Sequence, residues 1–268
     1  MSTADALRAQ KKSAVSIKSV AMPAEHGGWG FLLEPILLGM LVLPSAAGFA
    51  ISIAAIGFFL LHQPLKIIIK DRQRGRVFAR TRLAQRFAVG YGATALISII
   101  ITFWLAKGIF WLPPLLVTPL VIAQFYFESR NQGRSLWSEI FAAAILASIA
   151  PSVILAGGGD ALTAALAGLL ILLRIPAIIY VRTRIDWLHR KATSSIPALS
   201  THLIAVAITA VLWAGSFIGI SALIGTLILL ARAIYGLVMR SEKSMKAVGF
   251  KELFYGLLYA VLCAFALI

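Results

Sequence analysis

The chain alternates long apolar runs with short polar or basic connections. Runs close to the ~20 residues that cross a ~30 Å hydrocarbon layer recur along its whole length. Nine such runs are predicted, near residues 28–44, 47–66, 87–105, 109–127, 136–157, 161–181, 196–214, 218–239 and 250–268. The pattern predicts an all-α protein, a multi-pass transmembrane helical bundle of about nine spans. Residues 1–22 are expected to form a cytoplasmic N-terminal tail, and residues 23–268 a single transmembrane helical domain.

Basic residues favour one side of the predicted bundle. The 268 residues are 60% hydrophobic and 13% charged, with 25 Lys and Arg against 10 Asp and Glu. With a cytoplasmic N-terminus, 22 of the basic residues fall in inside segments and only Lys107 falls in an outside loop. This asymmetry predicts that orientation, with the C-terminus outside. The lipid bilayer is the expected partner. Nucleic acid is not, because the charge lies between apolar spans rather than in a basic domain.

Three ionisable residues lie deep in the predicted spans. Glu34 is eight residues beyond His26, ~12 Å at ~1.5 Å per residue, and Arg174 and Arg232 lie at a similar depth. Charges inside a bilayer are costly, so they mark candidate functional sites. Other polar residues are predicted nearer the inner surface, namely His62, Glu128, Glu139, His202 and Glu252. The distribution favours a polar cavity that is closed outward and open to the cytoplasm. The alternative is two structural ion pairs, Glu34–Arg174 and Glu139–Arg232.

The stretch AMPAEHGGWGFLLEPILLG, residues 21–39, carries a candidate catalytic pair at the start of the first span. The charge of Glu25 would tune the imidazole of His26, which titrates near neutral pH. The two side chains could therefore move a proton or orient a substrate. The alternative is an interfacial helix cap.

Arginines after the second and sixth spans are candidates for binding an anion. Guanidinium groups bind phosphate or carboxylate through two parallel hydrogen bonds. For the connection KDRQRGRVFARTR, residues 70–82, the alternative is topology and attraction to lipid headgroups. The predicted substrate-binding residues are Glu34, His62, Arg72, Arg76, Glu128, Arg174, Arg182 and Arg184.

Several kinds of site are absent from the sequence. No metal motif, nucleophile elbow, P-loop or dinucleotide fingerprint occurs, and the single cysteine, Cys263, lies in an apolar run. The glycine-rich AGGGD, residues 156–160, is predicted to be a turn on the outside. The sequence therefore predicts no metal ligand, and it identifies neither a cofactor nor an oligomeric state.

The motif PAEHGGWGFLLEPILLG, residues 23–39, resembles the N-terminal signature of the YwiC-like family of bacterial membrane proteins. In that family an E-H-G-x-W element precedes the first span. The strings YVRTR, residues 180–184, and KELFYGLLY, residues 251–259, are also similar to the family. The resemblance implies kinship over most of the chain, a location in a bacterial inner membrane (the cell membrane) and no particular reaction.

A more distant resemblance is to the UbiA-like intramembrane prenyltransferases, in the layout of nine helices with polar loops after spans 2 and 6. It implies aspartate-rich loops that hold magnesium against an isoprenoid diphosphate. This sequence departs from that pattern, because each loop has one acid, Asp71 or Asp186, among several basic residues. Clustered guanidinium groups would repel Mg²⁺ and could neutralise an anion directly.

Three functions are open on the sequence. The first is a UbiA-like enzyme, or a descendant of one, that acts on an amphipathic anion such as an isoprenoid phosphate or another acidic lipid in a cytoplasm-facing pocket. The alternatives are a proton-coupled small-anion transporter and a non-catalytic membrane assembly partner. A transporter is expected to have broken spans in both halves, whereas Pro113, Pro114 and Pro119 are expected to break only the fourth span.

Overall fold

The protein is helical throughout the part that the computed structural model describes, residues 17–23, 26–130, 132–239 and 244–268. Thirteen helices and no strand lie in these residues. The helices are α1 (Ile17–Ala21), α2 (His26–Val42), α3 (Ala46–Gln73), α4 (Ala79–Leu105), α5 (Leu112–Leu116), α6 (Thr118–Ser129), α7 (Leu136–Ala147), α8 (Ile149–Ala156), α9 (Ala161–Leu172), α10 (Pro176–Leu188), α11 (Ile196–Ala214), α12 (Ile220–Met239) and α13 (Met245–Leu267).

Each predicted apolar run is helical, and seven helical segments are long and apolar enough to cross a membrane. They are α3, α4, α11, α12, α13 and two broken segments, α7 with α8 and α9 with α10. The first run forms α2, whose apolar part Gly28–Val42 is shorter, and the fourth forms the short helices α5 and α6. The prediction of an all-helical, multi-pass membrane protein is confirmed. The count of nine spans stays a prediction.

The fourth, fifth and sixth apolar runs are each broken near a proline. Ser148 separates α7 from α8 close to Pro151, and residues 173–175 separate α9 from α10, which begins at Pro176. Proline lacks the N–H that bonds to the carbonyl four residues back, and its ring clashes with that carbonyl. The expectation that prolines break only the fourth span is therefore wrong.

The described residues form two compact units, divided within α3 and α4. The first unit comprises residues 53–97 and the segment that contains α1. In this unit Val20 of α1 is buried against Ile68 and Ala84, and the side-chain amide of Gln63 donates to the carbonyl of Ser19 at 3.3 Å. The end of the predicted N-terminal tail is thus a helix packed within the first unit. The single transmembrane domain stays a prediction.

The second unit, residues 25–52 and 98–268, contains a large apolar core. Facing sides of α2, α8, α9 and α13 form much of it, with Leu38, Val153 and Leu170 fully buried. Small residues allow close helix packing, since a Cβ at Gly39 would lie 2.8 Å from the Cβ of Val153. The hydroxyl of Tyr259 donates to the carbonyl of Leu170 at 2.8 Å. This unit contains the buried charges described below.

The AGGGD segment is a turn, as the sequence predicts. Gly158 has a φ of +91°, in the left-handed region that favours glycine. The carboxylate of Asp160 then accepts the backbone N–H of Thr163 at 2.9 Å and caps α9. The segment therefore ends one helix and begins the next.

The orientation of the chain in the membrane is open to a direct test. We expect a reporter that works only outside the cytoplasm to be active when fused after Ile268 and inactive when fused after Arg82. The reason is that 22 of the 25 basic residues lie on one predicted side. Reporter activity in whole cells, at matched fusion expression, measures this. The reverse pattern would overturn the predicted orientation.

Candidate functional site

Four ionisable side chains form a buried ion network in the second unit. The guanidinium of Arg174 meets the carboxylate of Glu34 at two points, with Nε–Oε2 at 3.1 Å and Nη2–Oε1 at 3.2 Å. Arg174 Nη2 also donates to the backbone carbonyl of Glu252 at 3.0 Å, and its Nη1 lies 3.6 Å from Oε2 of the same residue. Oε1 of Glu252 lies 2.9 Å from Nη1 of Arg232. Negative and positive groups therefore alternate in the order Glu34, Arg174, Glu252, Arg232.

The network is almost completely withdrawn from the surface. Glu34 is 1% exposed, Arg174 is 2% exposed, and Arg232 and Glu252 are each 8% exposed. Burial of a charge is costly unless an opposite charge lies close to it, and here each group has such a neighbour. The structure brings Glu34 and Arg174 together, as the sequence predicts. It does not form the alternative Glu139–Arg232 pair, because Arg232 contacts Glu252.

Local sequence positions the four charges. Arg174 lies in the break between α9 and α10, where Pro176 interrupts the helix. Each of the other three has a glycine one turn away on the same helix face, namely Gly30 with Glu34, Gly236 with Arg232 and Gly256 with Glu252. The missing side chain matters most at position 256, where a Cβ would overlap the carboxylate of Glu34 and lie 2.8 Å from Nη2 of Arg174. Glycine there makes room for the ion pair.

A cavity of about 350 Å³ lies beside the network, among residues of α10, α12 and α13. This volume is in the range of small-molecule sites, roughly 300–1,000 Å³. Charged residues Arg232, Lys251 and Glu252 line the cavity together with several aromatic residues, namely Tyr180, Tyr235, Tyr255, Phe250 and Phe254. Tyr235, Phe250 and Phe254 are exposed on the flank of their helices. The cavity therefore opens sideways between α12 and α13.

Arg232 is the buried positive group in the cavity wall. Its guanidinium carbon lies 4.3 Å from the ring centroid of Tyr180 and 5.7 Å from that of Tyr255. In the part of the chain that the structure describes, its guanidinium interacts with the carboxylate of Glu252 and the hydroxyl of Tyr180, but none of its side-chain nitrogens has a well-aligned hydrogen-bond acceptor. Its contact with Glu252 is an ion pair without hydrogen-bond alignment. These nitrogens are fully buried, so an anion in the cavity would bind them only if Glu252 or Tyr180 moved aside.

Arg182 and Arg184, which are both predicted to bind an anion, contact different parts of the protein. Arg184 is 2% exposed and donates from Nη1 to the carbonyl of Gly236, a residue of the cavity wall. Arg182 is half-buried, lies 2.9 Å from the carboxylate of Glu139 and donates to the carbonyl of Arg134 at 3.0 Å. Only Arg184 is therefore in contact with the cavity wall.

The remaining predicted site residues do not line the cavity, or they lie outside the described residues. His62, Arg72 and Arg76 are exposed and belong to the first unit. Glu128 is half-buried near the end of α6 and does not line the cavity. Glu25 lies outside the described residues, and His26 begins α2 while its side chain lies outside the description. Their role as a catalytic pair stays a prediction.

The aspartates of the two basic connections are bonded to their own loops. Asp71 accepts the Thr81 hydroxyl at 2.7 Å and Nε of Arg80 at 3.1 Å. Asp186 accepts Nζ of Lys191 at 3.2 Å and the hydroxyl of Thr193 at 3.3 Å. Within the described ranges, no group of three or more His, Cys, Asp or Glu side chains could hold a metal ion. Both carboxylates therefore serve local structure here.

The depth of Glu252 and the role of the glycines are not predicted from the sequence. The sequence predicts a span that begins at residue 250, whereas α13 begins at Met245 and places Glu252 seven residues inside the helix. The aromatic residues Tyr180 and Tyr255 are not distinguished from other apolar positions. A usable signal is present, because a deep charge with a glycine four residues away occurs in α2, α12 and α13.

Apolar helices of spanning length, together with buried charges, define the class of this chain as a multi-pass α-helical membrane protein. Residues 22–154, about half of the 268, match the model of the YwiC-like protein family. The resemblance predicted from the EHGGW motif is thereby confirmed over this part. The match does not extend to residues 180–184 or 251–259, where the resemblance stays a prediction. No curated protein matches the chain significantly.

Proposed function

We propose that this protein binds an amphipathic anion, such as an isoprenoid phosphate or another acidic lipid, in the cavity beside the ion network. The anionic group would contact Arg232, and the apolar tail would pack on the exposed aromatic side chains. One observation carries the proposal: the guanidinium of Arg232 is buried in the cavity wall without a well-aligned hydrogen-bond acceptor among the described residues.

The charges that line the cavity support an anionic ligand. Arg232 and Lys251 bring two positive charges to the lining, and Glu252 brings one negative charge. Glu252 also neutralises part of the charge of Arg174 through its second carboxylate oxygen. An anionic oxygen beside Arg232 would gain charge-assisted hydrogen bonds in surroundings of low dielectric constant.

The aromatic flank supports a lipid-like ligand over a small free anion. Phe250 and Phe254 belong to α13 and Tyr235 to α12, both of spanning length, and all three rings are exposed. In a bilayer such rings would face acyl chains, so a ligand could reach the cavity from the lipid phase. Its tail would then bury apolar area against the rings. Arg232 is seven residues from the end of α12, ~10 Å at ~1.5 Å per residue, which is within reach of a headgroup.

Among the functions considered, this one corresponds to a UbiA-like protein, or a descendant of one, that holds its ligand by arginine. The bonding of Asp71 to Arg80 and of Asp186 to Lys191 argues against a magnesium-dependent site in those loops. Binding, rather than a particular reaction, is the function that the cavity supports.

Ligand binding to the purified full-length protein tests the proposal. We expect farnesyl phosphate to bind, and both farnesol and inorganic phosphate to bind at least about tenfold more weakly, because each lacks one half of the recognised chemistry. Arg232→Gln should weaken binding of farnesyl phosphate by about 30-fold, the effect of losing a charge-assisted hydrogen bond. Arg232→Lys keeps the charge and should recover part of that loss.

Two lysines of α13 provide a matched control. Lys251 lines the cavity and Lys246 does not. We expect Lys251→Gln to weaken binding about tenfold and Lys246→Gln less than about twofold. Equal binding of farnesol, or equal losses in the two lysine variants, would contradict the proposal. Binding should also persist in EDTA, and its loss there would make Asp71 and Asp186 candidate metal ligands.

A further inference from the structure

The connection between α3 and α4 is strongly basic and belongs to the first unit. Its only acid, Asp71, is buried, whereas eight exposed basic residues lie in residues 66–86, namely Lys66, Lys70, Arg72, Arg74, Arg76, Arg80, Arg82 and Arg86. We call residues 70–82 the arginine turn. We propose that the arginine turn is a preorganised binding site for the headgroup of an acidic phospholipid.

The backbone of the arginine turn is fixed by the way α3 ends. The N–H of Gly75 donates to the carbonyl of Arg72 at 2.9 Å, and the N–H of Arg76 donates to the carbonyl of Asp71 at 3.2 Å. This pair of bonds is the Schellman motif, which requires a left-handed residue. Gly75 supplies it with a φ of +63°. The segment that carries the arginines is therefore a defined turn.

The side chain of Asp71 fastens the turn to the beginning of α4. Its carboxylate accepts both Nε and Nη2 of Arg80 and the hydroxyl of Thr81. Thr81 in turn accepts the backbone N–H of Phe78 at 3.0 Å. The one negative charge of the turn is thus bonded internally, where it pairs with Arg80 and interacts more weakly with Arg74.

The other arginines of the turn form a concentrated positive surface. Arg72, Arg74, Arg76 and Arg82 make no ion pair with any residue in the described ranges. Asp71 is also the only acid in the sequence between Glu34 and Glu128. Four like charges held on one turn repel one another, so a phosphate placed among them relieves that repulsion and accepts their N–H groups.

The position of the turn determines the kind of anion. It joins α3 and α4, both long and apolar enough to span a membrane, so it lies at a membrane surface. Val77 and Phe78 are exposed between the arginines, and apolar side chains beside basic ones suit the boundary between headgroups and acyl chains. The anions concentrated at that depth are phospholipid headgroups. A lipid phosphate therefore fits better than free phosphate or nucleic acid.

Lipid retention measured by native mass spectrometry tests this site. The full-length protein is released from nanodiscs that contain equal amounts of phosphatidylglycerol and phosphatidylcholine, and the bound lipids are counted. We expect the variant Arg72→Gln/Arg74→Gln/Arg76→Gln to retain at least about threefold less phosphatidylglycerol than the unaltered protein. The control Lys107→Gln/Arg130→Gln/Lys246→Gln removes the same charge elsewhere, and its retention should change less than about 1.5-fold. Equal losses in the two variants would overturn the proposal.

A second variant distinguishes the effect of the turn's geometry on lipid retention from the effect of net charge. Asp71→Asn makes the protein more positive, so attraction by net charge alone predicts stronger retention. The proposal predicts at least about twofold weaker retention, because Arg80 and Thr81 lose the acceptor that fastens the turn. Unchanged or stronger retention in a folded Asp71→Asn protein would contradict it. If Asp71→Asn does not fold, the difference in phosphatidylglycerol retention between the two triple variants still tests the proposal. Retention of phosphatidylglycerol is read in the arginine-turn variant and binding of farnesyl phosphate in Arg232→Gln, so this site and the Arg232 cavity can fail separately.

Discussion

Glu34→Gln is expected to lower the free energy of unfolding by about 3–5 kcal/mol, the usual cost of removing one partner from a buried ion pair. The glutamine keeps the size of the side chain, so the loss reports the charge and not a cavity. Arg174 would retain only the more distant carboxylate oxygen of Glu252, at 3.6 Å, as a counter-charge. Reversible unfolding in mixed detergent micelles measures the change.

An exposed acid serves as the control for Glu34. Glu139 also pairs with an arginine, at 2.9 Å from Arg182, but both side chains are more than one-third exposed. We expect Glu139→Gln to cost less than about 1 kcal/mol. The double variant Glu34→Gln/Arg174→Gln should be more stable than the sum of the two single losses by about 1–3 kcal/mol. Strict additivity would show that the two side chains do not interact.

Gly256→Ala is expected to destabilise the protein by at least about 3 kcal/mol, although alanine is the better helix former. The added methyl group would overlap the carboxylate of Glu34 and crowd Nη2 of Arg174. The ion pair would have to separate, or α13 would have to move away from α2. Unfolding under the same conditions as for Glu34→Gln measures this effect.

Gly168 provides the matched position in α9. A Cβ there would lie 3.4 Å from Cγ of Pro151, an ordinary contact, so Gly168→Ala should be neutral or stabilise the protein by up to about 1 kcal/mol. In the background Glu34→Ala, Gly256→Ala should cost much less, because the group that the methyl meets is gone. A loss that is the same in both backgrounds would contradict the packing argument.

The network also determines how the cavity is built. Glu252 is held by Arg174 through its backbone carbonyl and its side chain, and it in turn contacts Arg232. We propose that the Glu34–Arg174 pair acts on the cavity by positioning Glu252, since neither Glu34 nor Arg174 lines it. Destabilising variants at Glu34 or Gly256 should consequently weaken ligand binding as well as folding.

Hydropathy and charge in the sequence were sufficient for the helical class and for part of the network. Glu34 and Arg174 each lie eight residues from the predicted inner end of their spans, at His26 and Arg182. Residues at one depth in neighbouring spans can meet, so the sequence predicts this pair. Depth does not identify the partner of Arg232, because more than one acid is predicted near its level. The structure pairs it with Glu252. An error of five residues in the start of α13, predicted at 250 and found at Met245, places Glu252 too near the surface. Depth therefore predicts candidate pairs, whereas helix boundaries decide between them.

Other features of the site depend on contacts that a single sequence does not contain. Glycine is common in apolar spans, so the sequence does not show that position 256 must lack a side chain. That requirement is seen only in the structure, where the carboxylate of Glu34 lies against Gly256. Arg182 and Arg184 are two residues apart, yet one contacts Glu139 and the other contacts Gly236. Helical residues two apart point in different directions, which explains why the predicted clamp is not formed by that pair.

Photolabelling tests the central claim most directly, because it reports where the ligand lies on the intact protein. A farnesyl phosphate analogue with a diazirine next to the phosphate is bound to the full-length protein and irradiated, and the labelled residues are found by peptide mass spectrometry. We expect labels on cavity residues of α12 and α13, among them Tyr235 and Tyr255, and we expect Arg232→Gln to abolish them. Labels confined to the arginine turn, or labels on α12 and α13 that persist in Arg232→Gln, would contradict binding of the anion at Arg232.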